Sequence, residues 1–212
     1  CHTNGLYLVA GAMEPAGAPW REARAFAVSY LERYLSEGLA RRGQYGAVEG
    51  MVATACFLAL GDLLHSGTLP SETRAALDHA LHLQDPAGHW PEWLACNWPP
   101  YESDHHFGVT LMAVVLGQAP EAYRARDHVV TAVSRMRNWL RVNPATTLHQ
   151  RAMMLWADAE GGITLDPSDR RAWLDELRSG QRMDGGWCMA TLGAWPRRDG
   201  SPQLSTSEAY PT

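Results

Sequence analysis

Carboxylate and imidazole side chains are concentrated at the start of one strongly apolar segment. Glu102, Asp104, His105 and His106 lead into a run over residues 107–116 that is almost entirely apolar. Because ionisable groups are costly to bury at a helix end without partners, we expect them to meet one another or a ligand. Carboxylates and imidazoles that lie close together in surroundings of low dielectric constant can act as acid and base. They can also coordinate zinc or another divalent metal.

Ionisable residues recur at one register in three apolar segments, each of which is expected to form a helix that ends at a glycine. Counting back twelve positions from Gly61, Gly117 and Gly161 gives Glu49, His105 and His149. Glu208 begins the next apolar segment and extends the set. In a fold that brings equivalent helices side by side, these residues share one end of the core. His106 lies out of this register and is interpreted as a packing residue.

Two chemistries fit these residues. In the first, Asp104 donates a proton, assisted by His105 or His149, with Glu49 and Glu102 as further catalytic carboxylates. In the second, His105, His149 and Glu49 coordinate a divalent metal. A structural interpretation stays open beside both, in which Glu102 and Asp104 are helix N-caps favoured by the macrodipole.

Aromatic residues supply a candidate apolar pocket. Four of them are expected near a cavity: Trp98, Tyr101, Phe107 and Trp156. Their π faces could bind an apolar substrate and stabilise a carbocation, and Glu208 is assigned to the same substrate-binding set. Several other tryptophans are interpreted as packing residues at helix ends.

Composition and charge exclude several classes of partner. The 212 residues are 46% hydrophobic, enough for one domain with a full core, and the net charge of -5 comes without a long basic run. A nucleic-acid surface is therefore not expected. No run approaches the ~18 uninterrupted apolar residues of a membrane-spanning helix. The expected partners are an apolar small molecule or other protein subunits.

Apolar and amphipathic segments alternate along the chain. Apolar helices are expected near residues 48–64, 107–116 and 148–160, and amphipathic helices near 20–40, 71–84, 123–142 and 168–181. Such an alternation is typical of two concentric layers, with apolar helices inside and amphipathic helices facing solvent. The sequence therefore predicts an all-α fold, with an extended lead-in over residues 1–19 and a helical domain over 20–212 that is truncated at its C-terminus.

A motif that occurs at two turns indicates a family. The pattern Q-x-x-x-G-x-W is shared by Gln84, Gly88 and Trp90 and by Gln181, Gly185 and Trp187. It resembles the repeat of the squalene-hopene cyclase and protein prenyltransferase superfamily, over roughly residues 45–212. The resemblance implies an α/α toroid of helical hairpins, in which the Gln and the Trp tie the end of an outer helix to the neighbouring hairpin.

The same resemblance implies a function. Cyclases of this family protonate an isoprenoid alkene with a D-x-D-D motif, and the nearest stretch here is Glu102-Ser103-Asp104-His105. The implied function is that of a terpene-cyclase-like protein, which would bind an apolar isoprenoid or lipid and catalyse its cyclisation, hydration or isomerisation with an acid. The alternative is a non-catalytic, exported binding or assembly subunit.

The first residues resemble part of a haem-attachment motif. Cys1-His2-Thr3 is similar to the end of C-x-x-C-H-T, which implies covalent c-type haem held through Cys1 and His2 in a periplasmic or exported protein. A lipidated or truncated N-terminal Cys is the alternative. The expected cofactors are therefore a divalent metal or covalent haem c.

Overall fold

A computed structural model of the chain describes residues 2–13, 17–36, 47–91, 93 and 104–194. Regular secondary structure in these ranges is helical throughout, which confirms the all-α prediction. The helices are α1 (His2–Gly11), α2 (Ala18–Ser36), α3 (Ala47–Ser66), α4 (Ser71–His82), α5 (His105–Gln118), α6 (Glu121–Arg124), α7 (Asp127–Val142), α8 (Leu148–Ala159), α9 (Pro167–Ser179) and α10 (Met189–Leu192).

The longer helices form two layers. In the inner layer α1, α3, α5 and α8 contact one another in that order, and in the outer layer α2, α4 and α7 do the same. Each inner helix pairs with the outer helix that follows it, so the chain folds as successive helical hairpins. Because the chain returns through an outer helix each time, the inner helices run in one direction and their N-termini lie at the same end.

Burial follows the apolar pattern of each layer. In α5, every residue from His106 to Leu116 is buried. In α7, by contrast, burial is confined to one stripe at helical spacing: Val129, Ala132, Met136 and Leu140. The apolar character predicted for α5 and the amphipathic character predicted for α7 thus match the burial of each helix.

The first helix corrects the extended lead-in that was expected over residues 1–19. Residues His2–Gly11 form α1, which packs on α3 and buries Leu8 to 1% exposure. A Cβ at Gly5 would lie 2.5 Å from the Phe57 ring, so this glycine lets the two helices approach closely. Glycine lowers helix propensity, and the sequence of α1 lacks a clear apolar stripe, which is why the helix was not predicted.

Gly61 corrects the expected end of α3. This glycine lies inside the helix, which continues to Ser66, and a Cβ at Gly61 would lie 3.0 Å from the Leu8 carbonyl oxygen of α1. Gly61 therefore marks a close helix contact rather than a helix end. Glu49 nevertheless falls in the first turn of α3, as His105 and His149 do in α5 and α8.

The first Q-x-x-x-G-x-W turn joins two hairpins. The Gln84 side-chain amide donates hydrogen bonds to the Gly88 carbonyl at 3.1 Å and to the Ala132 carbonyl of α7 at 3.2 Å. The Trp90 indole donates to the Ala80 carbonyl of α4 at 2.9 Å. Gln84 thus ties the end of α4 to the neighbouring outer helix α7.

The second turn repeats this geometry. Gln181 Nε2 donates to the Gly185 carbonyl at 2.6 Å, and Trp187 Nε1 donates to the Leu177 carbonyl of α9 at 2.8 Å. Gly88 and Gly185 both have positive φ, +107° and +89°. The two turns are therefore equivalent in hydrogen bonding as well as in sequence.

A buried ion pair joins the first two hairpins. Asp62 of α3, only 3% exposed, accepts hydrogen bonds from Nε and Nη2 of Arg24 in α2 and a 2.6 Å hydrogen bond from Thr73 of α4. Arg24 also donates to Glu72 at 2.9 Å. The backbone and the Arg24 guanidinium together hold the pKa of Glu72 below its usual value.

Asp62→Asn is expected to lower the free energy of unfolding by about 2 kcal/mol, because the charge-assisted hydrogen bonds of a buried carboxylate are lost while its shape is kept. The measurement is urea denaturation followed by circular dichroism. Asp175→Asn is the control, since its ion pair with Arg178 is largely exposed and contributes little. Equal stability of both variants would contradict a structural role for Asp62.

Candidate functional site

One carboxylate joins the N-termini of two inner helices. Asp104 is the N-cap of α5 and accepts a 2.8 Å hydrogen bond from the His106 backbone N–H. Gln150 of α8 donates its side-chain amide to both Asp104 oxygens, at 3.3 and 3.2 Å. The Gln150 oxygen in turn accepts from the backbone N–H of Thr147, which completes the capping box of α8. The N-cap interpretation of Asp104 is confirmed.

Burial favours the protonated form of this carboxyl group. Asp104 is 8% exposed, and loss of hydration is the largest influence on its pKa, which lies above the usual value. Hydrogen bonds from Gln150 and from the backbone N–H groups of His106 and Phe107 lower the pKa but do not offset burial. Asp104 therefore holds a proton more readily than an exposed aspartate.

His106 lies on the core side of α5. Its side chain is 3% exposed, its ring packs edge-on against Trp139 at 5.9 Å, and neither ring nitrogen has a hydrogen-bond partner within the described ranges. Burial, and to a lesser extent the charge of His149, lowers the pKa of His106 to about 4. Buried polar atoms without partners are rare in folded proteins, so these two nitrogens indicate a place for a ligand or an ordered water.

His149 lies beside this residue on α8. Its ring is 5.7 Å from that of Phe107, and burial lowers the pKa of His149 to about 4. His149 directly precedes Gln150, whose side-chain amide donates to Asp104, and Asp104 also accepts from the His106 backbone N–H. Asp104, His106 and His149 thus form one cluster, which we call the Asp104 cluster, at the N-terminal end of the inner layer.

His105 occupies a different position from its neighbour. It is exposed, and its ring contacts that of His89 at 5.4 Å, edge to face. His89 stacks on Trp139 at 5.5 Å and so connects this outer imidazole with the aromatic wall of the Asp104 cluster. His105, which was predicted as a site residue, is therefore exposed, whereas the imidazole of His106 is buried.

The structure places the other predicted site residues in different parts of the chain. Trp156 donates to Glu160 and lies about 10 Å along α8 from His149, given the rise of ~1.5 Å per residue, so the structure does not bring it to the cluster. Phe107 is buried against His149 as expected. Several predicted residues lie outside the described residues, namely Cys1, Trp98, Tyr101, Glu102 and Glu208, as do the side chains of His2 and Glu49.

The described ranges contain no group of three or more His, Cys, Asp and Glu placed to hold a metal ion. Metal binding by His105, His149 and Glu49 stays a prediction, because the Glu49 side chain lies outside these ranges. Covalent haem at Cys1 and His2 stays a prediction for the same reason. No helix in the described part of the chain has both the length and the apolar character needed to cross a bilayer.

Sequence reasoning missed Gln150 and His89. A signal for Gln150 was present, because Thr147 followed by Gln150 is the pattern of a capping box. His89 lies between the motif residues Gly88 and Trp90 of the first Q-x-x-x-G-x-W turn, and no pattern in the sequence predicted a role for it.

Comparison with protein-family models, with curated proteins and with solved structures found no match to this chain.

Proposed function

We propose that the two layers are an arc of an α/α toroid, and that the Asp104 cluster binds an apolar isoprenoid or lipid and transfers a proton to it. One observation carries this proposal: a carboxyl group whose pKa is raised by burial lies within one turn of a buried imidazole whose nitrogens have no partner in the described ranges. A carboxyl group and an imidazole that lie out of water among aromatic side chains are suited to general acid–base catalysis on an apolar molecule.

In the proposed reaction, the proton moves from Asp104 to an alkene carbon, and the neighbouring carbon becomes cationic. The Asp104 carboxylate that forms is stabilised by the Gln150 amide and the His106 backbone N–H, which already point at its oxygens. The faces of Phe107 and Trp139 stabilise the cation. The reaction ends when a neutral imidazole, His106 or His149, takes a proton from the cation, or when water adds to it.

Asp104→Asn is expected to abolish turnover of linear isoprenoid alkenes, because asparagine still accepts a hydrogen bond at the cap but carries no acidic proton. The assay is product detection by gas chromatography with mass spectrometry, on a panel of substrates of increasing length. Asp127→Asn is the matched control, since Asp127 is an exposed acidic residue in the first turn of α7. Turnover by Asp104→Asn at the rate of the control would remove Asp104 as the acid.

A second candidate function is a non-catalytic binding or assembly subunit. It is favoured by the burial of α5 at every position from His106 to Leu116, since side chains fill the space around this helix. The larger grooves lie on the outside, such as one of about 590 Å³ between α7 and α9 that is lined by Leu140, Met154, Ile163, Leu165 and Trp173.

Equilibrium binding separates the two functions. If the protein is a cyclase-like enzyme, a saturated analogue of an isoprenoid substrate binds and His106→Trp, which places a larger ring at this buried position, weakens that binding at least tenfold. If the protein is an assembly subunit, no isoprenoid of the panel binds and none is converted.

A further inference from the structure

A groove on the outer surface lies between two helices that the structure describes. The outer helix α9 packs on α8, and the space between α9 and α7 is open, with a volume of about 590 Å³. Every residue that lines this groove lies within residues 137–173. We propose that the groove binds a single-chain lipid with a zwitterionic head group, whose phosphate contacts α7 and whose ammonium group contacts α9.

The floor of the groove is apolar. It is formed by Met154 of α8, by Ile163 and Leu165 of the segment that leads into α9, and by Leu140 of α7. Trp173 of α9 adds a half-buried indole. An alkyl chain that lies on these side chains is removed from water, which is the main source of affinity for a lipid. A groove of this volume, with an apolar lining and a few polar groups, is typical of small-molecule sites.

The α7 wall of the groove is basic. Arg137 and Arg141 line it from positions four residues apart, on one face of the helix. Arg137 donates to the Gly162 carbonyl at 3.3 Å, and Arg141 donates to the Asn138 side chain at 2.8 Å. Within the described ranges, neither guanidinium forms an ion pair with a carboxylate. Both charges can therefore bind a phosphate, which guanidinium groups hold with several donors.

The α9 wall is acidic and aromatic. Asp166, Asp169 and Trp173 line it, and the last two lie four residues apart on one face of α9. Asp166 is the N-cap of α9, yet its side chain makes no capping hydrogen bond. No ion pair in the described part of the chain joins these carboxylates to the arginines of α7. Carboxylates and an indole both attract a quaternary ammonium group, so this wall suits a choline-type cation.

The opposite charges of the two walls select the head group. The carboxylate of a fatty acid would pair with the α7 arginines but would be repelled by Asp166 and Asp169. A cationic amphiphile would meet the reverse conditions, and a neutral head group would leave both walls without a counter-charge. A zwitterionic head group compensates both walls at once, and complementarity of this kind provides specificity.

A series of lipids with one alkyl chain and different head groups tests the proposal on the natural chain. Isothermal titration calorimetry, with each lipid kept monomeric, measures the binding. Dodecylphosphocholine should bind about tenfold more tightly than dodecanoate, dodecyltrimethylammonium or dodecyl maltoside, because it alone pairs with both walls. An excess of the saturated isoprenoid analogue should not displace it, since the groove is separate from the Asp104 cluster.

Two variants locate the binding in the groove. Arg141→Gln and Asp169→Asn should each weaken the binding of dodecylphosphocholine about tenfold, because each removes a counter-charge. Asp169→Asn should also strengthen the binding of dodecanoate, an effect that a merely structural role of Asp169 would not produce. Arg171→Gln is the matched control, because Arg171 is exposed on α9 and does not line the groove.

Four results would overturn the proposal. Equal affinity for all four lipids would show that the charged walls do not select the ligand, and absence of binding would show that the groove is not a lipid site. Unchanged binding in Arg141→Gln and Asp169→Asn, or an equal loss in Arg171→Gln, would place the binding elsewhere. Displacement by the isoprenoid analogue would show that the two ligands share one site.

Discussion

Acidification is expected to destabilise the folded chain strongly through His106 and His149. Burial lowers the pKa of each imidazole from 6.5 to about 4, so the folded state binds fewer protons than the unfolded state between these values. The stabilisation is complete above pH 6.5 and is lost as the pH falls toward 4. The loss is about 3 kcal/mol for His106, at ~1.4 kcal/mol per pKa unit, and less for His149, which is partly exposed.

Asp104 acts in the opposite direction. Its pKa is raised in the folded state, so its protonation favours the folded chain as the pH falls, and it offsets part of the loss from the imidazoles. Urea denaturation at a series of pH values measures the balance. We expect a net fall in the free energy of unfolding below pH 6.5.

His106→Phe should remove much of this acid sensitivity. At neutral pH the variant should be as stable as the natural chain or more stable, because an apolar ring replaces a buried ring with unpaired nitrogens. His128→Gln is the control, since His128 is an exposed surface residue that contacts Asp78. A pH dependence in His106→Phe that equals that of the control would show that His106 is not buried as a neutral imidazole.

Gly88→Ala is expected to lower the free energy of unfolding by about 4 kcal/mol, through backbone strain and overpacking together. Alanine is strained at a φ of +107°, and its Cβ would lie 2.2 Å from the Arg135 carbonyl oxygen, so α7 must move away from the turn. The hydrogen bond from Gln84 to Ala132 is lost with that movement. Thermal and urea denaturation both measure the change.

Gly185→Ala separates the two causes. This glycine has a similar φ of +89° but no atom closer than 4.0 Å to the added Cβ, so only the conformational strain of about 1–2 kcal/mol remains. If both variants lose the same stability, the close contact between the first turn and α7 contributes nothing to stability.

The character of each helix could be predicted because it depends on how much of the helix surface meets solvent. An inner helix such as α5 must be apolar on all sides, and an outer helix such as α7 on one stripe, so the sequence identifies both. For α1, close packing on α3 depends on Gly5, which faces the Phe57 ring, and on Gly61 of α3, which faces the Leu8 carbonyl. The sequence of α1 alone does not show which residues of α3 it will contact.

The positions of the candidate site residues along the helices could be predicted, but the direction of each side chain could not. Asp104 and His149 lie at the N-termini of α5 and α8, as their places at the start of apolar segments indicated. The exposed His105 was preferred to His106 because the register was counted back from Gly117, which lies inside the last turn of α5 and does not fix which side of the first turn is buried. One residue corresponds to a rotation of ~100° around a helix, so a small error in register turns a buried side chain into an exposed one.

The account depends on Asp104, His106 and His149 forming one cluster at the N-terminal end of the inner layer. Ring ¹⁵N chemical shifts of the histidines, followed by NMR over a pH titration, test it most directly, with His106→Phe and His149→Gln providing the assignments. We predict that both imidazoles stay neutral until the pH approaches 4, and that Asp104→Asn shifts the His106 resonances. Titration of His106 near pH 6.5, with no response to Asp104→Asn, would contradict the cluster and the function proposed for it.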